Sequence, residues 1–448
     1  MIAKRTNGLP LVGLVPQLVR DPLATISNAA RRNGDVSILR IGPMDCYLLA
    51  HPDPAAEVLI EKSKVFTKES SLWEAAQSFV GKGIGTTDGE EWLRQRRAMQ
   101  PQFHPSRLGD LLAMTADAVR DQVADLRRRA RPGKPPLSLF KEVRKMTTRV
   151  FLRTMFGTSI ENEELDVLLA AIRESFETVD KLLWTSFLPG WVPAPGMNRY
   201  RKAIAAFDSI VYRIIRERLD NPVDRDDLLN LILKSFQDDG EASMTMLRDQ
   251  VATMIVATQD GPSLMMGWTL TLVCQHPEVE AKLREELATV LDGDGITAAK
   301  VASLEYTRAV LSEGLRLYPP LWLTVRKAIA DETIGGYEVP RGTFVFLSAY
   351  HIQRHPRFWP NPETFDPSRF LKDGDAPSHR GAFLPFGLGP HVCIGKHYGL
   401  AFGQMLLAEI LRCFRIRLAP DARVRPKGMV TIQPRDEVRV RFEALRDA

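Results

Sequence analysis

The sequence predicts a mainly α-helical protein with small β-sheets, an α+β arrangement in a single domain spanning residues 1–448. Three observations carry this expectation. From about residue 90 to 320 apolar residues recur at helical spacing, as in "SRLGDLLAMTADAVRDQVADLRRRA" and "NRYRKAIAAFDSIVYRIIRERL". Short strand-like runs punctuated by Gly and Pro lie toward both ends of the chain. No linker, internal repeat or low-complexity tract divides it.

The elements follow in order. "MIAKRTNGLPLVGLVPQLVR" joins a basic start to a short apolar run that Pro10 and Pro16 interrupt. No small-residue cleavage site follows, so it reads as an extended entry segment and not a signal peptide. "DVSILRIG" and "CYLLAH" read as strands and "PAAEVLIEK" as a helix. Residues 71–89, "SLWEAAQSFVGKGIGTTDG", read as a mobile loop with bulky apolar members. A long apolar helix occupies about 245–274, or roughly 45 Å at 1.5 Å per residue. Ser243 or Thr245 marks its start, and His276-Pro277 follows its end. After Pro319-Pro320, "DETIGGYEVPRGTFVFLSAY" reads as short strands and residues 353–392 as irregular. A helix follows Cys393, and "GMVTIQPRDEVRVRFEAL" reads as a terminal hairpin.

Composition narrows the function. The net charge of +5 is thinly spread, and no basic helix interleaves with aromatics, so a nucleic-acid partner is not expected. No apolar run approaches the ~20 residues of a membrane span. The four cysteines, Cys46, Cys274, Cys393 and Cys413, form no C-x-x-C pair and no disulfide framework. That pattern fits a reducing compartment, and a cytoplasmic monomer is expected.

"FLPFGLGPHVCIGKHYGLAFGQMLLAEILRCF" (383–414) concentrates the chemistry. Glycines 387, 389 and 395 permit tight turns around Cys393, and an amphipathic helix begins just after it. Amide N–H groups and the helix dipole at that position favour a thiolate, suited to a nucleophile or a metal ligand. Cys46, Cys274 and Cys413 read instead as inert small hydrophobes.

The pattern Phe386-Gly387-x-Gly389-x-His391-x-Cys393-x-Gly395 resembles the haem-binding loop of the cytochrome P-450 family. The resemblance implies that fold, with haem b held between the long central helix and the cysteine loop. It makes Cys393 the axial thiolate, which pushes electron density onto iron and favours O–O cleavage. It places Phe386 and Gly395 in the ligand loop and His391 near a haem propionate. Trp92 and Arg96 in "EEWLRQRRAMQPQFH", and Arg326 in "LTVRKA", match further propionate-binding positions. Glu313 and Arg316 in "SEGLRLYPP" and Arg369 in "FDPSRF" match a buried structural network of the family. No flavin or ferredoxin domain accompanies these motifs. Electrons are therefore expected from a ferredoxin or flavodoxin with its reductase, docking on the thiolate side near Lys396.

The resemblance also exposes a departure. Family members activate dioxygen with two electrons and two protons, usually through an acid followed by Thr in the central helix. In "VATQDGPS" Asp260 keeps the acid position, Gly261 stands where Thr is usual, and Thr258 replaces a Gly. Gly261 and Pro262 cost about 1 and 3 kcal/mol relative to Ala in a helix interior. At ~100° per residue Ala257, Thr258, Gly261 and Met265 share a face, whereas Ser263 lies ~200° from Gly261. Asp260, Thr258 and Gly261 are thus the candidate catalytic positions. Pro262 also leaves the Thr258 carbonyl without its helical donor, free to bond water or substrate.

Three readings stay open at this point. One is an oxygen-dependent monooxygenase acting on a lipophilic substrate, fatty acyl, terpenoid or polyketide-like. Another is an atypical haem-thiolate enzyme driven by peroxide or performing cyclisation, coupling or rearrangement. A third is a non-catalytic haem or ligand-binding protein. Candidate pocket residues are Leu72, Trp73, Phe79, Phe187, Leu188, Trp191, Leu321, Trp322, Leu323 and Met429.

Overall fold

The computed structural model describes residues 3–131, 133–185, 196–223, 225, 227–236, 241–293 and 295–445. Its axis is the central helix Glu241–Gln275, longer at its start than the sequence suggests and continuous through Gly261 and Pro262. Helices Leu139–Met155, Met197–Asp220, Glu305–Leu317 and Lys396–Cys413 pack around it. That enclosure explains an apolar sequence on nearly every side of the helix: Val251, Ile255, Leu264, Met266, Trp268 and Leu270 are all buried. Tertiary packing on all sides outweighs the poor helix propensity of Gly261-Pro262.

Strands from the two ends of the chain share one sheet. Its order is Lys4–Thr6, Val36–Ile41, Met44–Leu49, Phe344–Leu347, Thr324–Ala328, Phe66–Thr67. Tyr47 pairs with Val345 in a parallel register, although almost 300 residues separate them. The expected mainly α, α+β architecture is what the chain adopts.

Two expectations need correction. Within residues 71–89, Ser71–Val80 is a helix and not a loop. Long-range contacts decide this. Phe79 is buried between Phe207 and Phe176, with ring centroids 5.0 and 6.1 Å away. Arg248 donates to the Phe79 carbonyl at 2.7 Å, and the Lys82 amide donates to Asp249 at 2.7 Å. The tail also differs. The hairpin pairs Pro426–Gly428 with Ile432–Pro434, whereas Arg439–Ala444 leaves it to pair with Phe414–Leu418 and Leu137–Ser138. Buried Val440 and Phe442 alternate along that last strand, and Phe442 packs edge-on against Phe414, which fixes its partner.

Helix Glu305–Leu317 and the irregular stretch that follows the strands share a buried ionic network. Glu313 receives two hydrogen bonds from Arg316, at 2.6 and 2.7 Å, and both side chains are fully buried. Arg369 approaches Glu313 at 3.5 Å. Arg316 further donates to the carbonyls of Gln353, Pro362 and Thr364. The pair expected from its i, i+3 spacing is thus the clamp of the irregular stretch before the cysteine.

Candidate active site

Cys393 sits between a glycine-rich turn and helix Lys396–Cys413. Its amide donates to the Phe386 carbonyl at 2.9 Å, closing the loop. Gly389 has φ +73°, and a Cβ there would lie 1.9 Å from the Leu59 carbonyl oxygen. No other residue fits that turn. Gly399 lies one helical turn beyond Gly395, and a Cβ there would touch the Phe386 ring at 3.9 Å. The Cys393 side chain is exposed yet closely surrounded. Crowding raises its thiol pKa, while the Gly395 N–H and the Arg96 charge pull it down. Cys46 and Cys413 are buried, as expected of packing residues, and Cys274 is partly buried.

A cationic group of side chains surrounds this loop. Trp92 packs at a tilt against His391 with ring centroids 4.1 Å apart. Arg96 donates to the Val392 carbonyl at 2.8 Å, and His391 Nε2 meets Asp88 at 2.9 Å. Arg326 is buried and, among the described residues, bonds neutral acceptors, the Val325 carbonyl and the Thr324 hydroxyl. Lys68 is buried as well, donates to the Gly85 carbonyl at 2.9 Å and lies over the Trp73 ring. Burial pulls Lys68 down to about 7 and Arg326 down to about 10. Asp88 supplies negative charge to this group. Burial would raise its pKa, but His391 and the Lys68 and Gly89 amides outweigh that and hold it well below the ordinary range.

These observations test whether haem fits. Lys68, Arg96 and Arg326 converge on the loop beside the carboxylate of Asp88, and His391 Nδ1 is buried without a partner among the described residues. Buried cations are costly unless anions pair with them. The two carboxylates of a haem meet that need, and the thiol of Cys393 offers a soft iron ligand. The residues present fit the group. Sequence reading missed Lys68 and Asp88. Neither lies in a recognisable motif, and only the fold brings them to the loop.

Lys68 also yields a pH prediction. Between about 7 and 10.5 the unfolded chain binds a proton at Lys68 that the folded chain lacks. The stability of haem-free protein should therefore rise with pH across that window, by on the order of a few kcal/mol. Below pH 7 the cost is fully present. Lys68→Met should flatten the slope in denaturant titrations, and an unchanged slope would refute the assignment.

On the central helix, Ala257 is exposed, and Thr258, Gly261 and Pro262 are half-buried. Met265, on the same face, packs where a Cβ on Gly403 would lie, which turns that face toward the helix that follows Cys393. A Cβ on Gly261 would meet nothing within 4 Å, so this face is open there. Thr258 Oγ1 donates back to the Met254 and Ile255 carbonyls, at 2.6 and 3.1 Å. Asp260 is buried and accepts from Gln433 at 3.2 Å and Arg144 at 3.4 Å. Asp260 and Thr258 are thus held by different partners. Ser263 bonds the Gln259 and Asp260 carbonyls.

Of the pocket candidates, Phe79 and Trp322 are core residues, Trp322 donating to the Met429 carbonyl at 2.7 Å. Leu321 points outward at 58% exposure. Trp73, Leu323 and Met429 are partly exposed. Phe187, Leu188 and Trp191, and the side chain of Leu72, lie outside the described residues.

A cysteine loop at a helix start, cations gathered beside it and a long helix facing it define a haem-thiolate oxidoreductase. The chain belongs to the cytochrome P450 family, whose model matches residues 4–439. It is 33% identical over 422 residues to the cyclooctat-9-en-7-ol 5-monooxygenase of Streptomyces melanosporofaciens, covering 92% of this chain and 89% of that protein. It is 32% identical over 443 residues to the pentalenene oxygenase of Streptomyces avermitilis, covering 98% and 96%. Cyclooctatin synthase of Streptomyces melanosporofaciens is 30% identical over 437 residues, covering 95% and 92%. The protein is a haem-containing cytochrome P450 monooxygenase. Among the described residues no helix is long and apolar enough to cross a membrane.

Proposed function

We propose that Cys393 is the axial thiolate of haem b in a single-unit, cytoplasmic, monomeric monooxygenase. The observation that carries this reading is the buried cationic group beside the cysteine loop. In this reading Trp92, Arg96, Arg326, His391 and Lys68 hold the haem carboxylates, and Phe386 and Gly395 shape the ligand loop. Haem held in this way supplies activation of dioxygen with two electrons and two protons. Asp260 is the acid of the proton relay, and Thr258 and Gly261 form the face that receives the substrate. Electrons come from a separate ferredoxin or flavodoxin with its reductase, and the exposed Lys396 at the start of its helix supports docking there. The substrate is lipophilic and of the terpenoid kind. The names of the relatives, which cite pentalenene and cyclooctat-9-en-7-ol, support that class.

A second reading is peroxide-driven oxygenation, or an oxidative cyclisation, coupling or rearrangement. The open position at Gly261 and the separate partners of Thr258 and Asp260 favour it. Terpenoid substrate is supplied with reduced carrier and oxygen, or with peroxide alone. The primary reading expects turnover only with carrier and oxygen. Turnover with peroxide alone would select the second.

Gly261→Thr bears on the same question. The position has room for the side chain, so the variant should fold. If the missing hydroxyl limits oxygen activation, the product formed per electron pair should rise by about two- to tenfold. Unchanged or poorer coupling would show that this chain has replaced the hydroxyl by other means.

A further inference from the structure

Away from the haem loop, three segments of the chain bring metal-ligand side chains together. Asp35 lies between helix Pro22–Asn33 and strand Val36–Ile41. His51 follows strand Met44–Leu49 and caps helix Pro52–Ala56, and His355 follows helix Ala349–Ile352. His355 Nε2 is 3.0 Å from Asp35 Oδ1, and His51 Nε2 is 4.0 Å from Asp35 Oδ2. One ligand atom from each of the three lies within 4.8 Å of the others. The imidazoles are only 7% and 11% exposed, whereas Asp35 is 46% exposed, so the group opens to solvent on one side. An exposed cation already reaches into it. Arg357 Nη2 lies 2.9 Å from Asp35 Oδ2 and 2.6 Å from His51 Nε2.

That contact leaves His51 with a conflict. A guanidinium only donates, so Nε2 must face Arg357 as an acceptor. The other ring nitrogen, Nδ1, meets a second donor, the Asp53 N–H at 3.1 Å. A neutral imidazole accepts at one nitrogen only. The Asp53 carboxylate resolves this, because its Oδ2 lies 3.7 Å from Nδ1 and can take the ring proton. Nε2 then keeps its lone pair for a cation, with a carboxylate behind the ring as metal-bound His residues have. We propose that Asp35, His51 and His355 form a zinc site, with Asp53 behind His51 and Arg357 as the cation that zinc displaces. Both imidazoles bind through Nε2, Asp35 through one oxygen, and water takes the fourth position. Tetrahedral zinc sets its ligand atoms roughly 3.3 Å apart, and the observed 3.0 and 4.0 Å lie on either side of that. Two imidazoles and one carboxylate favour zinc over magnesium or calcium, which take oxygen ligands. Arg357 is 65% exposed and free to turn into solvent. Its amide, a weak 3.3 Å donor to His355 Nδ1, moves with it.

The test titrates zinc ion into untagged, chelator-washed holoenzyme by calorimetry. X-ray absorption at the zinc edge, which haem iron does not obscure, then reads the ion's neighbours. One zinc per chain is expected, with nitrogen and oxygen neighbours at about 2.0–2.1 Å. Asp35→Asn and His355→Gln should each weaken binding about a hundredfold, and Asp53→Asn about tenfold. Arg357→Ala should tighten it about five- to tenfold, because zinc no longer has to displace an exposed ion pair. Asp35, Asp53 and Arg357 are exposed enough to change without disturbing the core, so the test holds even if His355→Gln fails to fold. Lack of saturable binding would overturn the proposal. So would an affinity that Asp35→Asn leaves unchanged, or sulfur neighbours at about 2.3 Å, which would place the ion at a cysteine. Unchanged or weaker binding in Arg357→Ala would refute the displacement.

A second readout follows from where the ligands lie. Asp35 and His51 flank the strands Val36–Ile41 and Met44–Leu49, and His355 opens the irregular stretch that leads to Cys393. Bound zinc therefore braces the sheet against that stretch. At a hundredfold excess over its dissociation constant it should raise the thermal midpoint of the holoenzyme by about 3 °C. Asp35→Asn should abolish that shift at the same zinc concentration. A shift that persists in Asp35→Asn would place the ion elsewhere and overturn the site.

Discussion

Cys393→Ser should abolish the thiolate-type band of the reduced CO complex and lower oxygen-driven turnover on the order of a thousandfold, about 4 kcal/mol in the barrier. The reason is ligand chemistry and not folding. The loop is closed by the Cys393 amide on the Phe386 carbonyl and by the close approach of Gly389 to Leu59, and neither involves sulfur. Serine keeps these contacts and nearly the same volume. It replaces a soft thiolate by a hard, neutral hydroxyl that binds iron poorly and pushes little electron density onto it. The variant should therefore fold, with helix content near that of the parent. A retained thiolate band would disprove Cys393 as the ligand.

Glu313→Ala should be the most destabilising single change in the structural network, costing about 3–5 kcal/mol. Arg316 is fully buried with its charge paired to Glu313, and Arg369 leans on the same carboxylate. Removing that carboxylate takes the paired charge from the fully buried Arg316, while Arg369 keeps Asp375 at 3.4 Å. The carbonyls of Gln353, Pro362 and Thr364 solvate Arg316 only in part, because they carry no net charge. Denaturant titration of the holoenzyme measures the loss, and Glu313→Gln should recover part of it by keeping hydrogen bonds. A cost below 1 kcal/mol would show the network to be replaceable.

The sequence was most legible where chemistry is local. The loop from Phe386 to Gly395 carries its turn glycines and Cys393 within ten positions, and helix Lys396–Cys413 begins directly after it. The long helix was readable from its largely apolar run between Thr245 and His276-Pro277, although it starts earlier, at Glu241. The Ser71–Val80 helix was not, because its form depends on Phe207, Arg248 and Asp249, more than a hundred residues away. Lys68 and Asp88 escaped for the same reason. Each is an ordinary charged residue until folding places it beside Arg326 and His391. The partners of Asp260 were equally hidden. Helical geometry sets the direction of its side chain, but nothing in "TQDGPS" indicates Gln433 or Arg144.

The bond from His391 to Asp88 joins residues 303 positions apart, and Gly389 rests on Leu59 across a longer span still. During synthesis the first hundred residues must therefore wait for the last quarter of the chain before the pocket can close. At 5–20 residues per second that interval is about 15–60 s. Throughout it the buried cations and the sheet edge at Met44–Leu49 lack their partners. Yield in a cell should then depend on what shelters the nascent chain in that interval, and on whether haem is at hand when Cys393 emerges, more than on the stability of the finished enzyme.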